Sequence, residues 1–189
     1  VTVGQALKSL KTRGGKIYNH DLEPAQVADD IDVKRLKRIP EGRGIRYERD
    51  EKAYLPPSLR LGVDWEELPE NRFRQTKYFR LDSKRPSPTI MTHRHSYYHP
   101  TEPRFLTQRE AARLQSFPND FVFEGPLSAQ WRQIGNAVPP LLGKAIGGAL
   151  TDMYERAQKE NVKRRRRRKH SLETVREIRG RAFSYREAR

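Results

Sequence analysis

The chain has 189 residues, 34% of them apolar and 33% charged, with a mean hydropathy of -0.97, so it holds one ordinary domain, or a small one with appendages, and much of it lies at a surface. Its 39 Lys and Arg against 24 Asp and Glu give a net charge of +15 and a pI of about 10.3, which points to a polyanionic partner, because each cation placed on a phosphate releases condensed counterions. No cysteine is present, which excludes disulfides and leaves histidine and carboxylates as the available metal ligands; no metal site is expected, and no apolar run approaches the roughly 20 residues of a membrane span.

In chain order, Val1 to Lys11 reads as a short helix, with Thr2 as N-cap, Gln5 as its capping-box partner and Leu7 and Leu10 on one face. Gly14-Gly15 breaks it. From Tyr18 to Pro69 the text is punctuated by Pro24, Pro40, Gly42, Gly44, Pro56-Pro57 and Pro69, which predicts irregular structure with pieces such as Val33 to Leu36 too short for long elements. Arg72 to Leu81 and Thr89 to Thr92 suggest two short strands around a turn at Asp82 to Pro86. Thr107 with Glu110 three residues on opens a helix that Phe117-Pro118 stops. A longer helix is expected from Pro139-Pro140, where Val138, Leu141, Leu142, Ala145, Ile146, Ala149, Leu150 and Met153 recur at three- and four-residue steps. Gly143, Gly147 and Gly148 cost such a helix roughly 1 kcal/mol each, which makes sense where something packs close to its backbone. Lys163 to Lys169 is an unbroken basic run, and Lys163 to Arg189 carries 12 Lys and Arg against 3 Asp and Glu.

Two runs carry most of the functional information. Arg104-Phe105-Leu106-Thr107-Gln108-Arg109-Glu110-Ala111-Ala112-Arg113-Leu114-Gln115-Ser116-Phe117-Pro118 and Gln133-Ile134-Gly135-Asn136-Ala137-Val138-Pro139-Pro140 resemble the last two motifs of the DNA (cytosine-5) methyltransferases. A capped amphipathic helix explains the Thr107/Glu110 box but not the order of Arg109, Glu110, Arg113 and Gln115. Upstream, Tyr78 to Leu81, Pro86 to Ile90 and Tyr97 to Pro100 resemble the recognition region of Dcm-like members.

The resemblance implies an α+β chain: a small irregular DNA-recognition domain with short strands over 1-103, then helices over 104-160 that complete a Rossmann-like S-adenosylmethionine domain of a partner or missing N-terminal part. Residues 161-189 form a basic tail, partly helical or disordered. It implies Asn136 and Ala137 at the cofactor, and Thr89 and Ile90 beside the DNA. A loop at a helix N-terminus, with free N–H groups, suits the cofactor's carboxylate; Asn136 as a plain N-cap is the simpler alternative. Arg80, Arg94, His95, Tyr97 and Tyr98 join Thr89 and Ile90 as DNA-binding candidates, in a segment that also holds Arg72, Arg74, Lys77, Arg85 and His93. Arg109, Glu110 and Arg113 are candidates for a structural role.

No catalytic residue is assigned to this chain. The family's attacking group is a cysteine in a Pro-Cys loop, and the acid motif Glu-Asn-Val occurs only at Glu160-Asn161-Val162, after the final motif, where it reads as a coincidence. The expected partners are double-stranded DNA and a catalytic polypeptide that carries the Pro-Cys and Glu-Asn-Val motifs. Val1 is not methionine, which leaves open that the numbered chain begins inside a longer product. The setting implied is a bacterial or archaeal cytoplasm, on the nucleoid, with a restriction-modification system as the context. A stand-alone basic DNA-binding or regulatory module derived from such an enzyme is the alternative.

Overall fold

A computed structural model describes residues 1-8, 10, 17-93, 95 and 97-187. Two compact units are present, Val1–Pro140 and Leu141–Arg189. The chain runs α1 (Val3–Lys8), α2 (Asp30–Arg38), β1 (Ile45–Tyr47), α3 (Glu48–Tyr54), β2 (Arg72–Lys77), α4 (Gln108–Leu114), α5 (Leu127–Asn136) and α6 (Pro140–Glu187).

Helix α1 carries the expected capping box: the Gln5 N–H donates to Thr2 Oγ1 at 3.3 Å and the Thr2 N–H to Gln5 Oε1 at 2.9 Å. It is described over Val3–Lys8, and both the expected boundary at Lys11 and the Gly14-Gly15 break lie outside the described residues. Its first amides reach the carbonyls of Arg85 and Ser83, at 2.9 Å each, so the helix start is satisfied by the loop after β2.

The stretch expected to be irregular contains two helices. Asp29 accepts from the Ile31 N–H at 2.7 Å and caps α2, whose acidic first turn and basic last turn complement the helix dipole. Helix α3 follows β1 directly, with Asp50 Oδ2 accepting from the Arg46 and Tyr47 amides at 3.0 Å each. Strand β2 pairs antiparallel with β1, not with Thr89 to Thr92, which is irregular and ends in a bend at Thr92. The register runs from Ile45 opposite Lys77 to Tyr47 opposite Arg72, so an irregularity falls at Arg46.

Two apolar clusters hold the first unit. Ile39, Ile45, Leu55 and Trp65 form one, closed by Phe73, whose ring meets Trp65 edge-on at 4.8 Å. Buried Glu51 pins its lid: Oε1 accepts from the Leu61 N–H at 2.5 Å and Oε2 from the Trp65 indole at 3.0 Å. The larger cluster joins Val3, Leu81, Ile90, Leu106, Ala111, Ala112, Phe117, Phe123, Trp131 and Ile134. Segments on either side of residue 103 therefore share one core, which puts α4 and α5 in the same compact unit as the residues before 103.

The second unit is α6, 48 residues long from Pro140 and helical through the basic run. Leu142, Ile146, Leu150 and Met153 are exposed along it, and a β-carbon added at Gly143, Gly147 or Gly148 meets nothing within 4 Å. No described helix is long and apolar enough to cross a membrane.

Candidate functional site

Thr107 caps α4 as expected: its Oγ1 accepts from the Glu110 N–H at 3.2 Å while its own N–H donates to Glu110 Oε2 at 2.8 Å. The same carboxylate receives a two-pronged contact from Arg104, Nη1 to Oε2 and Nη2 to Oε1, both 2.8 Å. Arg104 also meets Glu102 at 2.8 Å. Burial works against the charged form of Glu110, yet the Arg104 fork and the Thr107 amide outweigh it and hold the carboxyl below its usual range. His99 closes the cluster, with Nδ1 accepting from the Thr101 and Glu102 amides at 3.3 and 3.1 Å and Nε2 3.8 Å from Glu110 Oε1. Burial lowers its pKa, ahead of the opposing pull of Glu110.

Arg109 is fully buried and knits three segments: it donates to the carbonyls of Tyr18 and Pro118 at 2.9 Å each and to that of Phe121. Asn19, at a positive φ of 56°, completes the joint by bonding the Phe123 backbone in both directions at 2.8 and 2.9 Å. Arg113 donates to the Phe117 carbonyl at 3.0 Å. Buried Gln115 then reaches across from the end of α4 to the Ile134 carbonyl at 2.9 Å. One motif thereby holds the other: the Gln115 amide satisfies a carbonyl in the last turn of α5, next to Gly135-Asn136.

Asn136 stands at the end of a helix, not at the start of one. Helix α5 begins at Leu127 after Pro126, with no side-chain cap, and closes on Asn136 and Ala137, whose N–H is turned back to Ile134. Val138 follows with a backbone N–H, while Pro139 and Pro140 have none. Ala137-Val138-Pro139 then leads straight into α6, which opens at Pro140, so the stretch is a loop between a helix end and the helix N-terminus expected from the sequence. The exposed Asn136 amide side chain, with one donor group and one acceptor, is the polar group the loop presents. Such a donor set fits one edge of a site for a polar cofactor rather than a complete one.

The DNA-binding candidates separate into two groups. Arg80 is buried and spent on the protein: Nη1 donates to the Leu36 and Ile39 carbonyls at 3.0 and 2.8 Å, Nε to His99 at 3.4 Å and Nη2 to Pro100. It closes the C-terminus of α2, with four of its five N–H donors on backbone carbonyls. Ile90 is likewise in the core, and Tyr98 is stacked on Phe105 at 4.5 Å and near Tyr78 at 6.1 Å. Thr89 is exposed, with its carbonyl accepting from the Tyr97 hydroxyl at 3.0 Å, and His95 is exposed beside the Phe105 ring at 4.9 Å. Arg94 lies outside the described residues. Among the described residues no group of three or more His, Asp or Glu could hold a metal ion.

Residues 10–152 match the family described as C-5 cytosine-specific DNA methylase. The chain belongs to that family. Similar proteins include the type II methyltransferase M.Eco47II of Escherichia coli, 36% identical over 141 residues, which covers 64% of this chain and 33% of the relative. The DNA (cytosine-5-)-methyltransferase M.ApeKI of Aeropyrum pernix is 33% identical over 158 residues, 79% of this chain and 30% of its own length. The type II methyltransferase M1.HphI of Haemophilus parahaemolyticus is 49% identical over 77 residues, 41% of this chain and 21% of the relative. The chain thus spans about a third or less of these relatives.

Proposed function

We propose that this chain is the DNA-recognition half of a Dcm-like C5-cytosine methyltransferase of the restriction-modification type, working with a catalytic part that supplies the nucleophile. The observation that carries the reading is the pairing of the two C-terminal motifs through Gln115 and Ile134 in a chain without cysteine. The attacking thiolate then comes from a Pro-Cys loop elsewhere, as a second polypeptide or an N-terminal part. S-adenosylmethionine, when bound, supplies the methyl group.

The chain's own residues bind and position. The Arg104, Glu110 and Arg109 joints hold α4 rigidly; Gln115 holds the Gly135-Asn136 turn; and the Asn136 amide offers hydrogen bonds at one edge of the cofactor. The apolar row of α6 fits docking onto the catalytic part, since Leu142, Ile146, Leu150 and Met153 would otherwise stay in water. The target cytosine is flipped from the duplex into the assembled pocket, which a base buried in its stack requires for chemistry at C5.

The test is transfer of labelled methyl to cytosine in duplex DNA by this chain alone, by a polypeptide carrying the Pro-Cys and Glu-Asn-Val motifs alone, and by the mixture. Activity in the mixture only is expected. Silence in the mixture, with the second polypeptide folded, overturns the reading.

A further inference from the structure

Beside β1 and β2 lies a recess of about 370 Å³ lined by Arg46, Arg74, Gln75, His93, His95 and Tyr97, among others, and no carboxylate lines it. Its cations come from separate parts of the sequence. Arg74 and Gln75 are exposed on β2, while the preceding Phe73 is turned into the apolar cluster against Trp65. Arg46 sits at the irregularity in the β1–β2 pairing, a feature that re-aims a side chain.

Arg46 is the informative residue. Its backbone N–H is satisfied by Asp50, but its Nε is buried without a hydrogen-bond partner among the described residues. A buried donor is normally paired, and this one belongs to a side chain that lines a hollow carrying two arginines and no carboxylate. An incoming anion or base edge would complete it. Gly44, just before β1, is packed so that a β-carbon would lie 2.5 Å from Thr76 Cγ2 and 2.7 Å from the Lys77 carbonyl, which keeps the two strands close and the recess walls fixed.

We infer that this recess is the base-reading site for duplex DNA: Arg74 forks onto the O6/N7 edge of a guanine in the major groove, Gln75 reads alongside it, and Arg46 anchors a phosphate or base acceptor at the floor. The inference rests on the DNA-recognition reading and adds to it the residues and the base. Arginine is suited to this because its planar fork matches the two guanine acceptors, whereas lysine offers the same charge without the fork. A phosphate contact tolerates that exchange; a guanine contact does not.

The experiment is selection from a randomised duplex pool by the complete chain, alone and together with its catalytic part, comparing wild type, Arg74→Lys, Arg74→Ala, Arg46→Ala and the distant exposed control Lys52→Ala. Arg74→Lys is expected to keep the salt dependence and the affinity for non-specific duplex but to lose preference for guanine at one position by roughly 5- to 150-fold. Arg46→Ala is expected to weaken binding, and Lys52→Ala to leave both unchanged. Because Arg74 is exposed, its variants should melt as wild type does, which separates reading from folding. A wild type that selects a site while Arg74→Lys selects it equally well overturns this inference and leaves the recognition reading standing. A wild type that selects nothing in either setting overturns both.

Discussion

Gly135 lies so close to Met91 that a β-carbon at position 135 would stand 2.7 Å from both the carbonyl carbon and the oxygen of Met91, and 2.7 Å from the Thr92 amide nitrogen. The glycine of the final motif therefore seats the segment that follows Thr89-Ile90 against the end of α5. All three atoms are backbone, so the clash cannot be relieved by turning a side chain. Alanine in the last turn of a helix would ordinarily gain up to about 1 kcal/mol over glycine. Here overpacking of roughly 1–3 kcal/mol opposes it. Gly135→Ala is expected to lower Tm by several degrees; a Tm equal to wild type or above it would contradict the close approach.

Arg80→Ala should be among the most damaging single changes in the chain. It leaves the carbonyls of Leu36, Ile39, His99 and Pro100 without their shared donor, and a loss of roughly 3 kcal/mol follows. The comparison is Arg74→Ala, exposed on β2, which should fall within about 0.5 kcal/mol of wild type. Denaturant titration of both variants checks the pair. Equal stabilities would mean that Arg80 is not the brace its hydrogen bonds describe.

These two arginines show what the sequence could reveal. Residue type placed both among DNA-contact candidates, because the burial of Arg80 is decided by carbonyls from two distant segments and by no local pattern. The capping boxes at Thr2/Gln5 and Thr107/Glu110 were legible because both partners lie three residues apart. Helix α2 was hidden by the surrounding prolines and glycines, although Asp29 and the acidic-to-basic gradient that follows it were local signals. Helix α5 had no side-chain cap to announce it, and so the alternative of Asn136 as a plain N-cap missed that this residue closes α5, four positions before Pro140 opens the expected long helix α6. Strand β1 is three residues long and pairs across the whole of α3 and the Trp65 lid, a contact that periodicity does not reach.

Acid should destabilise the chain in two steps. His99 is kept below its usual 6.5 mainly by burial, so the unfolded chain takes up a proton first, and stability falls as pH drops below about 6.5. Glu110 is held below its usual 4.5 against its own burial by Arg104 and Thr107, so its contribution is full above that value and is lost as pH falls further. Tm is expected to decline from pH 7.5 to 5.5 and again towards pH 4. His99→Asn keeps an acceptor near the Thr101 and Glu102 amides and should remove the first decline while leaving the second. A Tm flat from pH 7.5 to 5.5 in the wild type would place the His99 proton elsewhere.

Helix α6 offers a prediction in which two measurements move in opposite directions. Nothing lies within 4 Å of a β-carbon at Gly147, so Gly147→Ala meets no obstacle in this chain and should raise helix content, with a gain of up to about 1 kcal/mol in the helix interior. If α6 docks its apolar row on the catalytic part, the glycines are where the partner's atoms come closest, and the same methyl group should weaken that contact. Gly147→Leu fills more of the space and should weaken it further. The checks are circular dichroism of the chain alone and the titration of its methyl-transfer activity against added catalytic part. Higher helicity with a higher concentration needed for half-activity is the expected pattern. Higher helicity with an unchanged titration in both variants would show that the partner does not approach this stretch of α6.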